Sequence, residues 1–339
     1  MTVVHLRHAE PGLLVIAPDG APLVTDAVPG LDALVLEVAG GHLSWNLLDN
    51  ELVPGAVLDD VEAAQDWVWA VYGEEVALAV ADNHARALTA VPARPESAAA
   101  LRRLAYAHWA SRWWPASTVD GIPALDPRLL HEEIEVLTEQ CEMMVDERSR
   151  EPVADVAETA EGDAESIGRS RGRAEDYALA AGGADSSDGL IVARGSGGWD
   201  WRRCPPGILD AGEQAVSWQV ARAAGVSTVR VSVVAAPDCP RVVADHLRPY
   251  ARVRSAGTEF TTPLHLSGDA WTGAVRIPGQ SEISPEITVF VPGVGPADPV
   301  DESAVRDRIR RFARRRLTEP TGEPRLSAET DAAETDEDF

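Results

Sequence analysis

The chain has 339 residues, of which 45% are hydrophobic, so it is long enough for two domains with ordinary cores. Its 55 acidic residues outnumber 30 basic ones, which gives a formal net charge of -25. A surface this acidic repels DNA and anionic lipid, so we expect neither nucleic-acid nor membrane binding. All basic residues are arginine. The absence of lysine excludes pyridoxal-phosphate enzymes, Walker A NTPases and ordinary protein kinases.

Residues 1–147 predict an α+β domain made of an antiparallel β-meander and three helices. Short segments rich in Val, Leu and Ile alternate with Pro-Gly and Gly-Gly turns, and such close spacing favours hairpins over parallel crossovers. Apolar periodicity and capping residues then predict the helices. The predicted strands cover 2–7, 12–17, 33–39, 42–48 and 74–82, and the predicted helices cover 59–73, 95–115 and 125–147.

The composition changes after residue 147. Residues 148–188 are polar and contain few large apolar side chains, which predicts a flexible acidic linker. Residues 189–318 contain about seven short apolar or alternating segments, which predict a small β-sandwich or barrel closed by an Arg-rich helix at 303–317. Residues 319–339 end in an acidic stretch without apolar periodicity, which predicts a disordered tail.

The tripeptide Leu6-Arg7-His8 resembles the start of the histidine phosphatase family. The resemblance implies that His8 is the phosphoryl-accepting nucleophile, that Arg7 holds the phosphate, and that His84 is a second histidine of the pocket. It also implies a parallel sheet with helices on both faces. The Pro11-Gly12 turn instead predicts a hairpin after the first strand, so a phosphohydrolase is kept as the alternative function.

The sequence predicts neither a cofactor site nor a metal site. His5 and His8 lie three residues apart on a predicted strand and point to opposite faces, so they cannot share a metal ion without a bulge. The three cysteines are scattered, and no signal peptide or long apolar segment occurs. These features predict a soluble cytoplasmic protein.

Two segments have the composition of partner-binding surfaces. The first follows a Gly-rich loop and the second lies on the C-terminal helix, and Trp and Arg are both enriched at interface hot spots. The candidate residues are Trp199, Trp201, Arg202 and Arg203 in the first segment, and Arg310, Arg311, Arg314 and Arg315 in the second. Packing against the protein's own sheet, with the arginines solvated or paired with the acidic tail, is the competing interpretation.

Because no complete catalytic constellation occurs, the sequence favours a non-catalytic interaction or scaffold protein with a protein partner.

Overall fold

The computed structural model describes residues 2–9, 12–26, 30–49, 51–141, 189–255, 257–278, 284–319 and 324–337. The predicted linker, 148–188, and the end of the third predicted helix, 142–147, lie outside these residues. Within the described residues the chain forms two compact units. The first unit contains the residues up to Ser111, Asp126–Cys141 and 324–331. The second contains Arg112–Leu125, 189–319 and 332–337.

The first unit is built on a six-stranded antiparallel sheet with the strand order β3-β4-β5-β2-β1-β6. The four strands predicted before residue 50 are present, and the sheet adds two that were not predicted, β5 and β6. The sheet is not a simple meander, because β2 pairs with β5 and β6 pairs with β1. The strands are β1 (Thr2–Ala9), β2 (Leu13–Ala17), β3 (Ala33–Val38), β4 (Gly41–Asn46), β5 (Gly55–Leu58) and β6 (Arg86–Ala90).

Four helices accompany this sheet: α1 (Val61–Tyr72), α2 (Glu74–Ala81), α3 (Pro95–Trp113) and α4 (Pro127–Gln140). Asp60 caps α1 by accepting hydrogen bonds from Glu62 N and Ala63 N. Buried polar atoms of the helices bond to loops of the sheet. Trp67 Nε1 donates to Ala39 O at 2.7 Å, and Tyr72 OH donates to Pro54 O at 3.0 Å.

The prediction of a strand at 74–82 is wrong, because these residues form α2. Val76, Ala77, Ala79 and Val80 are the buried side chains, and this spacing follows a helical face rather than the alternation of a strand. Glu, Ala and Leu are also strong helix formers.

The prediction of a disordered tail is wrong for Ser327–Glu337, which form a helix. Leu326 and Ala328 are fully buried, and so is the carboxylate of Glu329. Tyr106 OH donates to Glu329 Oε1 at 2.5 Å, and Leu326 N donates to Glu329 Oε2 at 2.7 Å. An acid that satisfies a buried hydroxyl and the first free N–H of its own helix is a structural group.

The second unit contains two open antiparallel sheets, with the orders β12-β13-β9-β8-β7 and β11-β10-β14. No sheet in the described chain closes on itself, so the barrel interpretation is wrong, whereas the mixed α+β class is confirmed. The strands are β7 (Leu190–Gly197), β8 (Val216–Ala223), β9 (Val226–Val234), β10 (Tyr250–Ser255), β11 (Thr258–Pro263), β12 (His265–Ser267), β13 (Ala270–Pro278) and β14 (Glu286–Phe290).

The predicted Arg-rich helix is present as α5 (Ser303–Thr318), and the helix at Ser327–Glu337 is α6. Across the part of the chain that the structure describes, no helix combines the length and apolar character needed to cross a membrane.

Candidate functional site

The residues of the phosphatase alternative are not brought together. Arg7 and His8 are consecutive residues of the regular strand β1, so their side chains leave opposite faces of the sheet. Both are exposed, as is His84. Every strand pair in the six-stranded sheet is antiparallel, whereas the alternative requires a parallel sheet. The parallel sheet that this alternative requires is therefore not found among the described residues.

A shallow surface depression of about 620 Å³ lies beside Arg7. It is also lined by His5, Asp19 and Arg86, but by neither His8 nor His84. His5 Nε2 lies 3.2 Å from Asp19 Oδ1 at the surface. In the described residues, no group of three or more His, Cys, Asp or Glu side chains is arranged to hold a metal ion.

The predicted docking segment after the Gly-rich loop is buried. Trp199 and Trp201 are 8% and 5% exposed, and Arg203 is 2% exposed. Trp199 Nε1 donates to Asp210 O at 2.7 Å. Arg202 Nη2 lies 2.5 Å from Glu302 Oε2. These side chains therefore serve the packing of their own unit, in agreement with the competing interpretation of this segment.

Arg203 lies close to a second arginine. Its guanidinium stands 5.0 Å from the centre of the Phe290 ring, and that of Arg252 stands 4.9 Å from the same ring. Burial and the nearby charge of Arg252 lower the pKa of Arg203, whereas the carboxylates of Asp200 and Asp298 act in the opposite direction. Arg203 therefore lies in the interior of the second unit, with its guanidinium over the Phe290 ring.

The C-terminal helix α5 buries much of its arginine content. Arg306, Arg310 and Arg316 lie on its buried face together with Ile309 and Ala313. The other large apolar side chains of α5, those of Val305, Phe312 and Leu317, are half-buried.

Two carboxylates neutralise this buried face. Glu213 accepts from Arg306 Nε at 2.6 Å and from Arg310 Nη1 at 3.0 Å. Asp120 lies 3.1 Å from Arg310 Nε and 3.0 Å from Arg314 Nη2. Of the predicted partner contacts on α5, Arg310 is thus a buried structural group and Arg314 is paired. Arg311 and Arg315 are exposed, and Arg311 Nη2 pairs with Asp307 Oδ2 at 2.7 Å.

A different set of arginines is exposed or half-buried and has no side-chain partner among the described residues. In the five-stranded sheet, the register aligns Arg194 with Gln219, Gln219 with Arg230, and Arg230 with Ala274. Residues directly opposite one another share a face, so Arg194 and Arg230 lie in one row. Arg276 lies two residues beyond Ala274 on the same face of β13.

We call this surface the arginine face. Its next row is formed by hydroxyl side chains and a histidine, namely Ser196, Ser217, Ser232, Thr272 and His265. Arg194 and Arg276 are exposed and Arg230 is half-buried. No ion pair or hydrogen bond joins the side chains of these three arginines to any described residue.

The five strands of this sheet contain four arginines and no acidic residue, in a chain with 55 acidic residues. The fourth arginine, Arg222, aligns with Ser227 on the opposite face and donates to its hydroxyl at 3.3 Å. The remaining three form a local basic surface that no described residue neutralises.

No protein-family model matches this chain, and searches of curated proteins and of solved structures likewise find no match.

Sequence reasoning missed the arginine face because its arginines are far apart along the chain. A local signal was present nevertheless. The predicted strands that contain Arg194, Arg230 and Arg276 each lack acidic residues, and alternation places each arginine on the solvent side of its strand.

Proposed function

We propose that this protein is a non-catalytic interaction protein that binds an acidic segment of a partner protein on the arginine face. The observation that carries the proposal is that no described residue supplies a counter-charge to Arg194, Arg230 or Arg276. Exposed arginines in a chain with a net charge of -25 have abundant potential partners of their own. Leaving three of them unpaired on one sheet face keeps that face available to an external anion.

Carboxylates suit this face because each guanidinium presents a rigid fork of donors that matches a carboxylate. At physiological salt, charges separated by more than about 8 Å are largely screened. A short acidic segment on the face therefore experiences the arginines more than it experiences acidic residues elsewhere. A long nucleic acid would extend onto acidic surface, which disfavours it as the partner.

The function as a scaffold and the cytoplasmic location belong to the same proposal. A binding surface on one open sheet lets the protein hold a partner without catalysing a reaction. The side chains of Arg7 and His8 leave opposite faces of β1, which agrees with a non-catalytic function.

The test measures binding of a fluorescein-labelled Glu-Ser repeat peptide to the full chain by fluorescence anisotropy. The variant Arg194→Ala/Arg230→Ala/Arg276→Ala should bind about tenfold more weakly at about 0.15 M salt, because three exposed charge pairs are lost. The wild-type affinity should fall toward that of the variant as the salt concentration rises.

The matched control is Arg254→Ala/Arg311→Ala/Arg315→Ala, which removes the same charge from exposed positions of the second unit. This control should bind like the wild type. Equal loss in both variants would mean that only the net charge matters, and the proposal would be wrong. Tighter binding of a single-stranded DNA of equal charge would also overturn it.

A further inference from the structure

Strand β7 is an edge of the five-stranded sheet and contributes Arg194 to the arginine face. Among the described strands, β7 pairs with β8 alone. The register shifts between Ile191 and Ala193, and from Ala193 to Gly197 it runs regularly against Val220 to Val216. An irregular start protects part of an edge from pairing, whereas the regular half offers backbone donors and acceptors to another strand.

The inner side of this edge carries an aromatic surface. A Cβ atom on Gly195 would lie 2.5 Å from Trp218 Cζ2, so the indole ring of Trp218 covers Gly195 at the edge of the sheet. Trp218 is half-buried. Leu190, which aligns with Arg222 on the same side of the sheet as Trp218, is 74% exposed. This side of the edge therefore presents apolar surface to solvent.

The outer side of the same edge is basic. Arg194 is the outermost member of the row that continues through Gln219 to Arg230. A strand added beside β7 would lie about 4.8 Å from it and would place one side chain next to Arg194 in this row.

From this arrangement we infer that the partner binds as an extended strand added to β7 along Ala193–Gly197, with acidic and apolar side chains in alternation. This inference rests on the proposed function and specifies the partner's conformation and sequence pattern. The acidic side chains lie on the arginine face beside Arg194, and the apolar side chains pack on the Trp218 side. The partner's main chain forms the hydrogen bonds, as in other cases of strand addition.

A second copy of this chain fits the edge less well. Pairing of two β7 strands would bring Arg194 of each copy to one small surface, where like charges oppose association. The net charge of -25 on each copy opposes self-association further. A partner segment with acidic residues relieves the first repulsion.

The test compares two labelled peptides of equal composition with the full-length protein. One alternates Glu and Val, and the other groups them as Glu-Glu-Val-Val. Alternation places all the carboxylates of a strand on one face, so the alternating peptide should bind at least about fivefold more tightly. The variant Trp218→Ala should lose this preference, while Trp218→Phe should keep it. Equal affinity of the two peptides would overturn the inference.

Hydrogen exchange provides a readout that needs no variant. Binding of the alternating peptide should slow amide exchange in Ala193–Gly197, while β12 at the opposite edge exchanges as before. Unchanged exchange in β7 would overturn strand addition. If the peptide still bound through Arg194, Arg230 and Arg276, the proposed function would stand without it.

Exchange in Ala193–Gly197 should be independent of protein concentration when no peptide is present. Slowing with concentration would mean that a second copy occupies β7, and this result would also contradict the inference.

Discussion

The second unit contains two sets of arginines that the fold treats in opposite ways. On α5, Arg306 and Arg310 are 5% and 4% exposed and share the carboxylate of Glu213. On the five-stranded sheet, Arg194 and Arg276 are exposed, and no described residue pairs with them. A high local density of arginine in a sequence therefore does not identify a binding surface. The positions of the carboxylates decide which arginines remain for a partner.

Removal of the carboxylate that Arg306 and Arg310 share should have the largest effect on stability. Glu213→Ala leaves two buried guanidinium groups short of a counter-charge, and an uncompensated buried charge is strongly destabilising. We expect a loss of about 3 kcal/mol in the free energy of unfolding, measured by urea denaturation. Glu286→Ala is the control, because Glu286 is exposed and lies 3.4 Å from exposed Arg254. Similar losses in both variants would show that the arginines of α5 do not depend on Glu213.

A second variant tests whether a buried acidic residue of the first unit also stabilises the fold. Glu329→Ala leaves the buried hydroxyl of Tyr106 without its acceptor, so the free energy of unfolding should fall by about 2 kcal/mol. Glu334→Ala changes an exposed acid on the same helix and should cost less than about 0.5 kcal/mol. Thermal unfolding of the two variants, each compared with the wild type, measures the difference. Equal losses in the two variants would show that the buried carboxylate of Glu329 does not stabilise the fold.

The smallest expected effect concerns the exposed side of α5. The hydrogen bond from Arg311, and then the charges of Arg311 and its neighbours, lower the pKa of Asp307 below its ordinary value. Since the folded-state pKa is lowered, the stability from this pair is complete above the ordinary pKa and disappears as the pH falls through the folded-state value. Arg311→Ala should raise the pKa of Asp307 in an NMR titration, while Arg315→Ala should change it less. An unchanged pKa in Arg311→Ala would show that the pair does not persist in solution.

The sequence predicted most of the sheet elements because their residues follow local rules. The hairpin β1-β2 arises from apolar runs around Pro11-Gly12, and β9 alternates as expected for a strand with one buried face. The helix α5 was likewise clear from its apolar periodicity. These signals extend over a few residues, so the sequence alone reveals them.

The errors concern residues whose environment depends on distant partners. Arg310 is buried because Asp120 and Glu213 supply charge from segments far away in the sequence. Trp199 is buried, and its indole N–H donates to Asp210 O in the next loop of the same unit. Local composition describes the tryptophan and the arginine correctly as interface-rich types, but it cannot indicate that the interface is internal.

The candidate site follows the same rule. The arginine face requires the register that aligns Arg194, Gln219 and Arg230, which are contributed by three strands. The alternation of each strand is local and predictable, whereas the order of strands in the sheet is not. Burial of Trp199 and Trp201 removes the surface on which their predicted partner contact depended.

The position of Glu329 within the first unit sets the order in which the protein can be completed during synthesis. Tyr106 and Glu329 are separated by 223 residues in the chain, yet they share one hydrogen bond. The ribosome therefore makes every strand of the second unit before it makes the residue that completes the first. Domains usually fold from the N-terminus as they emerge. The hydrogen bond between Tyr106 and Glu329 can therefore form only after all strands of the second unit have been synthesised, so the first unit is completed after those strands.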